Sequence, residues 1–241
     1  MEIFWKTIGL YNSSTWVYQI FIIIAGILST IFLIKKNGRR SAIAMKLFLI
    51  VLYLWISVVY FYIYCEERNY NELMSLFWGV LAATWICDLI IGYTTFERSS
   101  SHSKLAYLLL IMPFLYPVTS LLQGKSFPEI TSPVMPCSAV VFTLGILQLF
   151  SKKINLFLIL LLCHWSLIGL SKTYFFNIPE DFLMAGTTIP AIYLFFKQYF
   201  LSNPLTVTKP QIKYMDWMLI GICTAVGAIL IAALIITLSQ S

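Results

Sequence analysis

Residues 16–34, WVYQIFIIIAGILSTIFLI, run without one charged side chain, and apolar residues cover every side of the helix they would form. A helix that is apolar all round has to be buried in a large core or in a bilayer. Roughly 20 such residues span the hydrocarbon of a membrane. Runs of this kind recur near residues 47–65, 73–96, 105–123, 137–151, 154–171, 182–201 and 217–238. The fifth is short, and the fourth and seventh contain prolines. Across the 241 residues, 60% are hydrophobic and 11% charged, which leaves no stretch from which a water-soluble catalytic domain could be built. The longest interruption is the segment 202–216, SNPLTVTKPQIKYMD, where Pro204 and Pro210 bar helix. The expected fold is all-α: a polytopic transmembrane helical bundle with a seven-span membrane core over 1–201, a cytoplasmic linker over 202–216 and an additional C-terminal transmembrane helix over 217–241.

A net charge of +6 would point a soluble protein toward nucleic acid, but here the positions of the charges matter more than their sum. Lys35, Lys36, Arg39, Arg40, Lys46, Arg98, Lys104, Lys152, Lys153, Lys197, Lys209 and Lys213 fall in alternate loops or beside them. The other loops hold only Lys6, Arg68, Lys125 and Lys172, together with Glu66, Glu67, Glu72, Glu129, Glu180 and Asp181. The positive-inside rule then puts the first set in the cytoplasm and both termini outside, in a multi-pass membrane protein. The basic loops are expected to touch anionic lipid head groups, and no nucleic-acid partner is implied. The N-terminus lacks a basic region followed by a short apolar core and a small-residue cleavage site, so the first span is expected to stay in the mature protein. Gly221, Ala225, Ala228 and Ala232 form a small-residue stripe on the last span, which makes self-association into a homo-oligomer a candidate property.

Polar residues inside such spans are the candidates for function. Tyr11, Asn12, Thr15, Trp16 and Gln19 recur at helical spacings around the start of the first span. They read either as one polar face or as an N-cap at Asn12 or Ser13 with an interfacial aromatic belt, but Gln19 needs a partner in hydrocarbon under either reading. Asp88 in WICDLIIGY and His164 in LLCHWSLIG are ionisable groups at depth, and helix rise puts them within about a turn of each other in height. A proton relay, a structural hydrogen bond or an Asp88 that reaches head-group water are the readings open at this point. Glu180 and Asp181 follow a proline in NIPEDF and also suit a helix N-terminus.

In SPVMPCSAVVFTLGIL, residues 132–147, Pro136 is placed to start a helix, because its missing N–H costs nothing at a first helical position. Prolines 128, 133 and 136 keep the preceding stretch out of regular helix, so it is expected to dip into the protein ahead of the short fifth span. Cys137 then lies at a helix N-terminus, where free N–H groups favour an anion. Cys65, Cys87, Cys137, Cys163 and Cys223 show no C-x-x-C spacing, which argues against a zinc site or a disulfide scaffold. No metal, no cofactor and no catalytic residue is implied, since protease, nucleotide-binding and hydrolase motifs are all missing.

Three stretches carry a family resemblance: YNSSTW at 11–16, PCSAVVFTLGIL at 136–147 with YP before it at 116–117, and HWSLIG through IPEDFLMAG over 164–186. Together they resemble the domain-of-unknown-function 6064 family of bacterial multi-span membrane proteins over residues 4–201. The matching positions are Tyr11, Asn12, Trp16, Pro136, Cys137, Phe142, Thr143, Gly145, Trp165, Gly169, Glu180 and Asp181. Ser138 and Ala139 depart from a pattern that has a second proline there, and His164 stands where the pattern is apolar. The resemblance implies a seven-span bacterial membrane core and no particular activity.

The leading functional expectation is a small-solute or ion transporter or channel with an outward-facing polar site lined by Tyr11, Asn12, Trp16, Gln19, Pro136, Cys137, Thr143, Glu180 and Asp181. The alternatives are an intramembrane enzyme with a reactive Cys137 at the outer face, and a membrane sensor or assembly partner without transport. Transport calls for a continuous polar path from Asp88 to the outer site. An enzyme calls for a closed pocket around Cys137, and a partner protein for a polar-free core with small-residue stripes on its outside.

Overall fold

Apolar sequence leaves backbone N–H and C=O groups no solvent to bond, so they bond within their own segment and the chain becomes helical. The computed structural model describes residues 2–36, 38–68, 70–97, 103–176 and Leu194, and helices carry nearly all of them. In chain order these are α1 (Glu2–Lys35), α2 (Arg39–Trp55) continuing into a π-helical segment (Ile56–Tyr64), α3 (Asn71–Ile91), α4 (Ser103–Leu122), α5 (Pro136–Phe150) and α6 (Leu156–Phe176). Two short strands, β1 (Thr95–Phe96) and β2 (Ser151–Lys153), pair antiparallel.

Among the described residues, four helices are long and apolar enough to cross a membrane: α1, α2 with its π-helical extension, α3 and α4. The chain is therefore all-helical in character and compatible with membrane insertion, but the seven or eight spans expected from hydropathy are not supported. The apolar run at 73–96 stops as helix at Ile91, because Gly92 takes a left-handed conformation with φ +73° that ends α3. The run at 137–151 gives a helix of only 15 residues that turns into β2 at Ser151. The candidate spans at 182–201 and 217–238, and the linker at 202–216, lie outside the described residues.

α1 starts well before its apolar run, so the YNSS segment lies inside the helix and forms no N-cap. Only one stripe of it is buried, through Ile8, Tyr11, Asn12, Thr15, Gln19 and Leu33. Its other sides are exposed and apolar, as a lipid-facing surface requires. Gly26 lets α1 close on α2, since a Cβ there would stand 2.8 Å from Phe48 Cζ. The π-helical segment carries its bonds one residue further back, as Cys65 N to Tyr60 O at 3.1 Å shows. It seats Ser57 against α3, where Ser57 Oγ donates to Ser75 O at 2.7 Å and Ser75 Oγ returns a bond to Ser57 O at 2.9 Å. An aromatic core joins these elements: Trp78 meets Trp165 edge-on at 4.9 Å, and Tyr53 stacks on Trp78 at 5.1 Å.

The connections gather at two ends. At the end where α1 begins, Lys6 pairs with Glu67 at 2.8 Å, Arg68 bonds the Phe4 carbonyl at 3.3 Å and Lys125 sits over the Trp5 ring at 4.6 Å. At the opposite end lie the α1–α2 turn, the 92–97 segment and the β2 turn before α6. Helix α4 packs mainly on α5, where a Cβ at Gly145 would stand 3.1 Å from Leu109 and Leu110, so the glycine permits their close approach.

The close α1–α2 contact can be tested directly. Gly26→Leu should force the two helices apart and cost about 1–3 kcal/mol, while Gly26→Ala should cost less because the Phe48 ring can swing. Thermal unfolding of the purified variants in one detergent checks this order, and a Gly26→Leu variant as stable as the parent would contradict it.

Candidate functional site

The polar stripe of α1 meets the non-helical stretch between α4 and α5. Asn12 Nδ2 donates to the carbonyls of Pro128 at 2.8 Å and Ile130 at 2.6 Å. Gln19 Nε2 donates to Asn12 Oδ1 at 3.1 Å and to Thr15 Oγ1 at 2.9 Å, and its Oε1 accepts a short bond from Ser132 Oγ. Tyr11 OH donates to Val134 O at 3.4 Å while accepting from Trp55 Nε1 at 2.9 Å. Ser132 Oγ also accepts from Val134 N at 3.2 Å, and Ser138 Oγ donates to Ser132 O at 3.1 Å. Ser120, at the end of α4, joins in through Thr131, with the two hydroxyls 2.8 Å apart. Buried backbone carbonyls outside a helix need donors, and α1 supplies them from the adjacent side chains Tyr11 and Asn12, while Gln19 two turns on accepts from Ser132.

The stretch reaches the level of Gln19, one turn inside the apolar run that begins at Trp16. Helix α5 rises only about 22 Å over its 15 residues. Pro136 is the first residue of α5, with Met135 as its extended N-cap. Cys137 beside it is half-buried. Thr143, two turns on, is fully buried, accepts from Tyr53 OH at 2.9 Å and donates to Ala139 O at 2.8 Å.

Of the residues expected to line an open site, Tyr11, Asn12 and Gln19 are brought together, but their polar atoms turn onto the chain itself. Trp16 is 51% exposed on the far side of α1 and lines nothing, because its position falls off the stripe through 8, 12, 15 and 19. Glu180 and Asp181 lie outside the described residues. Cys223 does too.

Asp88 sits at the opposite end of the bundle, and its partner is Lys46. The ammonium of Lys46 lies 2.8 Å from Asp88 Oδ2 and donates to the Asp88 carbonyl at 3.1 Å, with both side chains almost completely buried. Asp88 Oδ1 accepts from Thr94 N at 3.0 Å and Thr94 Oγ1 at 2.9 Å. Thr94 Oγ1 in turn accepts from Asn155 N at 3.1 Å, which ties the end of α3 to the start of α6. His164 takes no part in this cluster. Its Nδ1 donates to Leu160 O at 2.8 Å, within α6. Lys46 therefore belongs to a buried ion pair and not to the loop charges. Its place inside AIAMKLFLIVLY was a legible signal, since a lysine enclosed by apolar residues needs a carboxylate. Ser132, Tyr53, Trp55 and Thr94 carried no such signal. Among the described residues, no three His, Cys, Asp or Glu side chains come together as metal ligands would.

A family model described as a family of unknown function (DUF6064) matches residues 1–205, the stretch that holds both clusters. The chain belongs to that family. No curated protein matches it. No solved structure does either. The DUF6064 match takes in the three motif stretches and stops before the candidate span at 217–238. In this DUF6064 chain, Tyr11 and Asn12 of the YNSSTW motif hold the segment that leads into PCSAVVFTLGIL, so two of the motifs are one structural unit.

Two outcomes follow. Asn12→Ala leaves the Pro128 and Ile130 carbonyls without their donor and should lower stability by about 2–3 kcal/mol, read as earlier thermal unfolding. Lys46→Met should cost roughly 3–5 kcal/mol by leaving Asp88 unpaired, whereas the double change Lys46→Met with Asp88→Leu should recover most of it. A double-mutant cycle in detergent measures this, and additive losses would show that the pair is not coupled.

Proposed function

We propose that this chain is an integral membrane protein that acts through its lipid-facing surface, as an assembly or sensing partner, and not as a path for solute. The observation that supports this reading is the saturation of the α1 cluster. Both ends of the Asn12 and Gln19 amides are engaged, Tyr11 OH both donates and accepts, and Thr15 does the same. A binding site for a polar solute needs polar groups in reserve, and every donor hydrogen of these four side chains is already committed to the chain itself. In the proposed orientation, the end where α1 begins faces outward and the Lys46–Asp88 end faces the cytoplasm. The dip before α5 then enters from the outer surface, and α5 and α6 with that dip complete further crossings.

Solute or ion transport is the second reading, and a specific observation favours it. Lys46–Asp88, Tyr53–Thr143 and Tyr11–Trp55 form buried polar pairs at successive levels between one end of the bundle and the other. Ionisable pairs at such depth mark ion or proton paths in many membrane proteins. Between the levels lie apolar side chains such as Leu49 and Ile56, both fully buried.

Two experiments test these readings. Reporter fusions after residues 38, 100 and 152 should read cytoplasmic, and fusions after 70, 127 and 176 external; two reversed readings would defeat the orientation. Purified protein in liposomes loaded with a pH-sensitive dye should give proton leakage no faster than empty liposomes when a potassium diffusion potential is applied. A flux that Asp88→Asn abolishes would instead establish the transport reading.

A further inference from the structure

An apolar groove runs along the bundle between α1 and α4, floored by α2 and α5, with about 150 Å³ of free volume. Ile27, Thr30, Leu52, Phe114, Phe142 and Val134 are among its walls. It exists because α1 packs chiefly on α2 while α4 packs chiefly on α5, and because Gly26 on the α1 wall and Ala139 on the floor are small. Ile27, Ile31 and Phe114 are exposed along its rim, so the groove is open sideways to whatever surrounds the helices.

Its position relative to the charges is what identifies an occupant. Along α1 the groove runs from Ile22 to Ile31, about 14 Å by helix rise, which is close to the hydrocarbon depth of one leaflet. One end is stopped by Pro133 and Val134 of the dipping segment that Tyr11 and Gln19 hold in place. The other end opens one turn before Lys35, next to Lys36, Arg39 and Arg40, and two turns from Lys104 on α4. These five side chains are exposed, and none makes an ion pair with a described residue.

We propose that the groove holds one acyl chain of a diacyl anionic phospholipid of the cytoplasmic leaflet, with its phosphate at Lys35, Lys36, Arg39, Arg40 and Lys104. An apolar slot as long as one leaflet is deep accepts a hydrocarbon tail end-on. The closed end fixes how far the tail enters. The basic rim selects a negative head group over a zwitterionic one, each nearby cation adding to the attraction. The proposal deepens the reading of a protein that acts through its lipid-facing surface and names the component it takes up there.

The test is native mass spectrometry of the full chain in a mild detergent with added dioleoyl phosphatidylglycerol or dioleoyl phosphatidylcholine, lipids with identical tails. A single phosphatidylglycerol adduct should form about tenfold more tightly than the phosphatidylcholine one. Neutralising Lys35 and Arg39 to Gln should bring the two lipids level, and Thr30→Trp, which fills the slot from a half-exposed position, should weaken both tails. Equal binding of the two lipids by the parent protein, or phosphatidylglycerol binding indifferent to Thr30→Trp, would overturn the proposal. If Thr30→Trp does not fold, phosphatidylglycerol with a photoreactive group in mid-tail should crosslink to the peptides holding Ile27, Leu110 or Phe142, and crosslinks confined to other surfaces would overturn it. Binding in detergent does not depend on orientation or flux, so a failure here is separable from a failure of the fusion or liposome experiments.

Discussion

Backbone carbonyls buried outside a helix have to find donors, and the rest of this structure is arranged around that demand. The stretch between α4 and α5 carries three such carbonyls, at Pro128, Ile130 and Val134, into the interior. Asn12 and Tyr11 on α1 answer them, and Gln19 holds Ser132 two turns further along α1. Without these bonds the stretch would have to leave the apolar region, since an unmet buried polar group costs about 1–3 kcal/mol. Because it stays, α5 can be short, start at Pro136 and still stand beside α4 and α2. The groove between α1 and α4 is a second consequence, for its closed end is made by the same segment.

The opposite end is held by a different kind of interaction. Lys46 and Asp88 are both removed from solvent, and such a pair adds little stability over two apolar side chains of similar size. What it supplies is direction. The carboxylate also takes the N–H and hydroxyl of Thr94, which turns the chain sharply after Gly92 and delivers it to the β1–β2 ladder. The Thr94 hydroxyl then accepts from Asn155 and sets where α6 begins. One charged pair thus fixes α2, the end of α3 and the start of α6 relative to each other. The aromatic contacts among Tyr53, Phe61, Trp78 and Trp165 fill the space between the two polar ends.

Membership of a family of unknown function adds no activity to this picture, so the functional weight falls on what the polar groups still have free. At the α1 cluster every donor hydrogen is committed, which turns attention from an aqueous site to the helix surfaces. There the exposed side of α1 is apolar through most of residues 16–34 and ends in a cluster of basic side chains.

The sequence by itself determined that the chain is helical and membrane-compatible, because apolar composition and unbroken runs depend only on residues close together along the chain. It also determined that Pro136 begins a helix and that the prolines before it exclude one, since these follow from the chemistry of a single ring. It marked Gln19 and Asp88 as residues in need of partners, and Asn12 as part of a polar face or an N-cap. Only the tertiary structure decided who those partners are: carbonyls at 128 and 130, Ser132, and Lys46, which stand far away along the chain. It also decided where two apolar runs end as helix: α3 stops at the left-handed Gly92 and is still long enough to cross, while α5 stops after 15 residues where Ser151 enters the strand paired with β1. Hydropathy adds up over neighbours in sequence, whereas a hydrogen bond or an ion pair needs both groups at one place in space, and only folding brings them there.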